Sequence, residues 1–354
     1  MNRIFYILAI AVSFGLALPQ AFAGNPDRQG EAGAYELLIN PWARSAGLHT
    51  MTTSCITGVE AMRLNVAGVG RVDGLQFYGA HSIYLESTGI NINSFGFATP
   101  IGKSGGIGVT IMAMDFGDIP ITTTNQPEGT GATFSPTFLN IGVGYSHVFE
   151  NKVSVGILFR GVSERIADLS ASTFAIDAGV QYVTGENDNF KFGISLRNVG
   201  GSMQFTGEGL TINRQVPIGS VNYGQAVEQR SAEYELQSQL NIGASYDFLL
   251  GTTGRLTLVG NFASNAFSQD QLGGGLEFGF LDILVLRGGY KYEFGSNLEN
   301  GKEAPLYTGI AAGVTIEVPF KKDNPESGRF GVDYAYRTTK LFGGTHNIGV
   351  RLDL

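Results

Sequence analysis

From Tyr234 to Phe248 the apolar side chains Tyr234, Leu236, Leu240, Ile242, Ala244, Tyr246 and Phe248 are interleaved with Glu235, Gln237, Gln239, Asn241, Gly243, Ser245 and Asp247. A period of two residues is that of a β-strand with two unlike faces. Phe190, Phe192, Ile194 and Leu196 alternate with Lys191, Gly193, Ser195 and Arg197 in the same way. So do Phe330, Val332, Tyr334 and Tyr336 with Gly331, Asp333, Ala335 and Arg337, and His346, Ile348, Val350, Leu352 and Leu354 with Asn347, Gly349, Arg351 and Asp353. Soluble sandwich strands run about five or six residues, whereas these run about twice that, the length a tilted strand needs to cross a bilayer.

Segments of this kind number about fourteen: 75–87, 90–101, 106–116, 137–148, 151–164, 170–184, 189–198, 232–248, 254–265, 271–281, 282–293, 305–320, 328–339 and 343–354. An even count suits a single-chain outer-membrane barrel, which also has short turns at one rim and long loops at the other. The intervals 102–105, 149–150, 185–188, 249–253, 281/282 and 321–327 are short, and the three longest, 117–136, 199–231 and 294–304, all fall on the opposite parity. In hydrocarbon an unpaired backbone N–H or C=O costs several kcal/mol, so the pattern predicts closure, with the last strand pairing the first. The reading is an all-β, transmembrane antiparallel β-barrel of about fourteen strands, spanning 75–354, in the outer membrane of a Gram-negative bacterium.

Residues 24–74 break the alternation and are expected to fold back into the lumen as an N-terminal plug. Residues 1–23 read as a signal peptide: Arg3, an apolar run from Ile4 to Leu18, and Ala21-Phe22-Ala23 as a small-x-small cleavage site. That run is shorter than the roughly 20 residues of a spanning helix.

Composition agrees with strands rather than long helices, with 51 Gly, 24 Phe, 14 Tyr and only 15% charged residues. The net charge of −8, without a cluster of Lys and Arg, excludes a nucleic-acid partner. One cysteine, Cys55, excludes an internal disulfide, and four His without H-x-x-x-H spacing point to no metal. No cofactor is expected.

LLINPWARSAG (Leu37 to Gly47) and GVEAMRLNVAG (Gly58 to Gly68) resemble the N-terminal signature of the PorV/PorQ family, a FadL-like branch of Bacteroidetes outer-membrane proteins; here Val66 replaces the usual proline of the second motif. NINSFGFATP (91–100) and FSPTFLNIGVGYSH (134–147) add weaker similarity. The resemblance implies a fourteen-stranded FadL-like barrel with an N-terminal plug, and a non-catalytic role in type IX secretion. The implied partners are outer-membrane lipid, a type IX translocon subunit and C-terminal-domain cargo proteins. FadL-like relatives imply the alternative, a channel for uptake of hydrophobic compounds.

Two residue sets are candidates for function. In the plug these are Leu37, Asn40, Pro41, Trp42, Arg44, Glu60, Arg63 and Asn65, of which Arg44, Glu60, Arg63 and Asn65 are expected to pair with the charged wall and close the pore. In the outer loops they are Phe116, Ile119, Ile121, Phe134, Met203, Phe205, Leu210, Ile212 and Tyr223, because apolar residues on exposed loops are costly unless covered. Their covering is either a partner or the barrel mouth. The inward charges Arg160, Asp177, Lys191, Arg197, Glu235, Glu277, Arg287, Lys291, Glu293, Asp333 and Arg337 suit a polar lumen. His81, His147 and His346 share the outward parity and lack an obvious Ser and acidic partner, so a catalytic triad is not expected.

Overall fold

The computed structural model describes residues 28–218, 221–251, 253–281, 283–296, 305–321 and 328–354. The signal-peptide expectation for residues 1–23 lies outside them. Fourteen strands close into one barrel: β1 (Gln76–Tyr84), β2 (Ile90–Ile101), β3 (Gly105–Asp115), β4 (Thr137–Phe149), β5 (Val153–Ile166), β6 (Leu169–Thr184), β7 (Phe190–Gly200), β8 (Gln239–Leu250), β9 (Gly254–Asn265), β10 (Gln271–Phe280), β11 (Leu284–Glu293), β12 (Tyr307–Pro319), β13 (Arg329–Thr339) and β14 (Thr345–Asp353). Every neighbour pair is antiparallel, and β14 closes the ring on β1 from Gln76↔Asp353 to Ile83↔His346. Closure removes the unpaired edge that hydrocarbon forbids.

Each predicted segment contains one strand. The largest difference in length is at 232–248, where β8 begins only at Gln239. Glu235 and Leu236 instead pair in parallel with Ala32 and Gly33, outside the barrel sheet. Glu235 is therefore not a lumenal charge; it binds Arg28 at 3.0 Å.

The two faces differ as their sequences do. On β14, Ile348 and Val350 are 43% and 46% exposed, while Asn347 and Arg351 on either side of them are 0% and 3% exposed. Ile141, Val143 and Tyr145, or Leu272, Leu276 and Phe278, repeat the outward band. An apolar belt on a closed barrel is what lipid contact requires.

The three longest connections, 116–136, 201–238 and 294–306, all fall at one rim. At the long-loop rim β5 and β6 rise as the longest strands, at 14 and 16 residues. Between β7 and β8 the chain forms a hairpin of its own, Thr211–Ile218 with Val221–Glu228, in a separate two-stranded sheet.

The lumen is filled. Residues 35–71 fold as short helical turns: Tyr35–Leu38, Ala43–Ala46, Gly58–Glu60, Ala61–Leu64 and Val66–Arg71. Trp42, Val59, Met62, Leu64, Val66 and Val69 pack there against Tyr78, Ala98 and Leu158 of the wall. Among the described residues no helix is long and apolar enough to cross a membrane; the strands do so.

Candidate functional site

Helices of three to six residues leave most of their carbonyls without an intrahelical partner. The wall supplies the missing donors. Arg160 Nη2 donates to Met62 O at 3.1 Å, Arg197 Nη1 to Arg63 O at 2.7 Å and Arg337 Nη2 to Asn40 O at 3.2 Å. Gln181 Nε2 reaches Ile56 O at 2.9 Å, and Asn347 Nδ2 reaches Pro41 O at 3.1 Å.

The expected pairing of plug charges with wall charges is only part of how the plug is held. Arg63 turns back on the plug, with Nε donating to Ile39 O at 2.9 Å and Nη2 also to Glu36 O. Glu60 accepts from Ser45 N at 3.2 Å. Arg44 keeps the expected attraction, its guanidinium drawn to the wall carboxylates Glu277 and Glu317, while its backbone N–H lies 3.4 Å from Tyr78 Oη. Asn65 also reaches the wall, and there it binds backbone, donating to Val180 O at 3.1 Å. Asn40 Oδ1 accepts from Trp42 N at 3.2 Å, and the Trp42 ring stacks on Tyr78 with centroids 5.0 Å apart. Leu37 packs near Met203 and Leu236, and Pro41 is buried. Recognition through backbone carbonyls has no charge pattern to read in the sequence. The stacking partner Tyr78 was likewise hidden, because a tyrosine on a strand reads as either face.

The lumenal charges pair mainly with one another. Arg160 meets Asp177 at 2.6 Å, Lys191 meets Asp247 at 2.6 Å, and Arg255 and Arg287 converge on Glu277 at 2.8 and 2.6 Å. Arg351 binds Asp353 at 3.0 Å and also Glu317. Asp247 and Arg255 complete networks whose other halves, Lys191 and Glu277, the alternation had identified, while the Glu317–Arg351–Asp353 set lies outside the predicted inward charges. Such cross-links brace a wall more readily than they line an open path.

Two plug carboxylates are only half satisfied. Glu36 Oε2 and Glu60 Oε2 are buried with no hydrogen-bond partner. Burial, more than the attraction of Arg44, pushes Glu60 up to about 7, and burial followed by the Glu164 charge raises Glu36. A carboxyl with a raised pKa holds its proton in the docked plug after a released plug has lost it. These two carboxyls therefore favour docking most below the ordinary carboxylate range and lose that contribution as pH rises towards 7, while buried His49, held below its ordinary value, contributes with the opposite sign. Trp42, the one tryptophan and 2% exposed, reports on this. Acrylamide quenching of Trp42 is expected to be lower at pH 4.5 than at pH 8, and Glu36→Gln with Glu60→Gln should remove or invert the difference, since His49 then acts alone. Identical quenching by the parent protein at both values would refute the coupling.

Around the long-loop rim the apolar candidates divide. Met203 is 1% exposed and packs with Ala34, Leu37, Val162 and Leu236, with Phe205 and Tyr234 against the same cluster. Phe116 lies edge-on to Phe138 at 4.8 Å. These residues seat loops on the barrel. Ile119 and Ile121 remain 38% and 39% exposed, with Phe134 cross-strand from Ile119, while Leu210 and Ile212 are half-buried. The Tyr223 side chain lies outside the described residues. His81 binds Asn93 at 2.8 Å, His147 stands edge-on to Phe149 at 4.7 Å, and His346 binds Tyr334 at 2.8 Å. His346 also approaches Glu86 at 3.6 Å, an acidic neighbour the strand pattern did not reveal. Among the described residues no group of His, Cys, Asp and Glu is placed to hold a metal.

Residues 84–352 match the family described as type IX secretion system membrane protein PorP/SprF. The chain belongs to that family. The narrower PorV/PorQ reading rests on residues 37–68, which lie outside the match. No curated protein matches the chain. Among solved structures it is similar to the CymD monoaromatic hydrocarbon channel at 13% identity and TM-score 0.55, covering 89% of this chain and 97% of that one. A Pseudomonas aeruginosa FadL homologue gives 9% identity and TM-score 0.53 over 89% and 98%. The Ralstonia pickettii toluene transporter TbuX gives 12% identity and TM-score 0.52 over 89% and 97%. At such identities the likeness establishes a shared FadL-like fold. A PorP/SprF chain with this barrel is an outer-membrane component of type IX secretion.

Proposed function

We infer that this PorP/SprF member acts without catalysis, engaging a translocon subunit or C-terminal-domain cargo through its outer loops. The observation that carries this reading is the projecting hairpin 211–228 above a filled lumen. Its two strands form a sheet to which no third strand is added among the described residues. A lone hairpin is marginally stable in water, and its unpaired edges are templates for a strand of another protein. Ile119, Ile121, Leu210 and Ile212 supply apolar contact beside polar backbone. A hydrocarbon channel, the activity named for CymD, is less well supported, because the space above the plug is bordered by Arg197, Lys291 and Arg337. Desolvating such cations against a hydrocarbon would be unfavourable.

The hairpin can be removed at its stem, where Gln229 N donates to Leu210 O at 2.9 Å. Replacing residues 211–228 by a short Gly-Ser linker brings together ends that already meet, so closure entropy changes little. Met203 and Phe205 must be kept, since they seat the loop. The variant is expected to fold, by heat-modifiable gel mobility, and to lose capture of cargo and translocon. Capture at the parental level would refute the loop reading.

A further inference from the structure

Above the plug, on the long-loop side, lies a cavity of about 590 Å³. Its wall has an excess of positive charge. Arg197, Lys291 and Arg337 border it against the single carboxylate Glu293, which already accepts from Gln271 Nε2 at 2.8 Å. The two guanidinium groups are engaged by plug carbonyls, but among the described residues the Lys291 ammonium has neither an ion pair nor a hydrogen bond. His49 of the plug stands at the same wall, 3% exposed, and neither of its ring nitrogens has a partner. Its ring is edge-on to Tyr307 at 5.5 Å. Burial, and then the charges of Lys291 and Arg337, hold His49 well below its ordinary pKa. The neutral ring presents one donor and one acceptor. Buried polar groups of this kind are normally satisfied.

The wall is also irregular here. The register between β11 and β12 stops at Tyr290↔Ile310, leaving Lys291 to Glu293 without partners on β12. The register of β12 with β13 shifts between Tyr307 and Ala311, and Gly309 takes a φ of +94°. Gly309 passes close to Lys291 O, and beyond it Tyr292 and Glu293 have no partner on β12, so their backbone groups are available to an extended chain. Gln237 borders the same space with no side-chain hydrogen bond among the described residues, while the amides of Gln239 and Gln271 are engaged by Asn265 and Glu293 and would have to exchange those partners for a peptide group.

We propose that this cavity receives the carboxyl-terminal end of an extended polypeptide, with its α-carboxylate at Lys291 and its last peptide groups met by His49 and the glutamines. The proposal deepens the cargo reading and rests on it, since a polypeptide is what a secretion component handles. A neutral hydrocarbon would leave both the ammonium and the imidazole unanswered.

The test uses the full chain purified in detergent. The probes are an equimolar pool of acetylated tetrapeptides of uncharged residues with a free carboxylate, the same pool amidated at the C-terminus, and octanoate. Retention is read by equilibrium dialysis and mass spectrometry. The free-acid pool should be retained about tenfold more than the amidated pool, as loss of one partner of a desolvated charge pair implies. Lys291→Gln should abolish that preference and His49→Phe should weaken retention, both in barrels of normal gel mobility. Equal retention of the two pools, no retention of either, indifference to Lys291→Gln, or capture of octanoate in place of peptide would each overturn the proposal. The 211–228 replacement separates the two readings. Cargo capture lost on that replacement, with no peptide retention by the parent, sinks the cavity site and keeps the loop reading. Peptide retention with cargo capture untouched by the replacement does the reverse.

Discussion

Gly156→Val combined with Gly193→Val is expected to expel the plug while leaving the barrel closed. Both glycines face inward where plug backbone lies against the wall. A β-carbon added at Gly193 would stand 2.4 Å from Thr53 O and 2.7 Å from Ser54 Cα, and one at Gly156 would stand 2.7 Å from Val66 C. The obstructing atoms are main chain, so no side-chain rotation relieves them, and overpacking of this kind costs about 1–3 kcal/mol at each site. Valine is itself a good strand residue, and the fourteen-strand ladder has no other reason to open. The strain therefore falls on the plug, which an apolar cluster around Trp42 and Tyr78 and scattered hydrogen bonds from wall side chains hold without strand pairing to the barrel. Acrylamide should reach Trp42 in the double variant, and planar bilayers should show conductance absent from the parent. Gly260→Val is the control, because an added β-carbon there meets nothing within 4 Å. Unchanged quenching and conductance in the double variant would mean that the plug is not held by this close contact.

Val350→Arg is expected to cut the yield of folded barrel sharply. Val350 is 46% exposed on the outward face of β14 and stands cross-strand from Val332 and Gly79 at the seam that closes the ring. A cation near the bilayer midplane on a barrel's lipid face costs about 2–4 kcal/mol. At this seam the same penalty opposes closure itself. Val350→Ile keeps the apolar face and should fold as the parent does. Arg351→Lys is not a neutral comparison, because Arg351 bridges Asp353 and Glu317 and an ammonium cannot span both as the planar guanidinium does. Equal heat-modifiable yields for Val350→Arg and Val350→Ile would show that this face does not meet lipid.

The barrel was legible because lipid on one side and a polar lumen on the other impose an alternation that neither a sandwich nor a helix imitates over ten residues. Loop parity then fixed the two rims without knowledge of any contact. Legibility failed where contacts are sparse and long-range. Arg337 and Asn40 meet across 297 positions, and the target is a carbonyl, which every residue has. Met203 and Phe205 looked like partner contacts because sequence does not distinguish an apolar loop residue facing solvent from one folded back on the wall; their cluster with Ala34 and Leu37 decides it. Glu235 was displaced for a related reason. The alternation of β8 continues into residues that leave the barrel, and Glu235 and Leu236 pair instead with Ala32 and Gly33.

On the proposed reading, this PorP/SprF chain meets its secretion partners at the long-loop rim, through the hairpin 211–228. Site-specific photo-crosslinking in cells tests it directly, with the crosslinker placed in turn at Arg214 and Gln225 on the hairpin and at Asn187 in the short turn between β6 and β7, all three exposed. Adducts containing a type IX translocon subunit or a C-terminal-domain cargo protein are expected from Arg214 and Gln225, and no cargo adduct from Asn187. Hairpin positions that form no protein adduct while the cells secrete normally would contradict the claim.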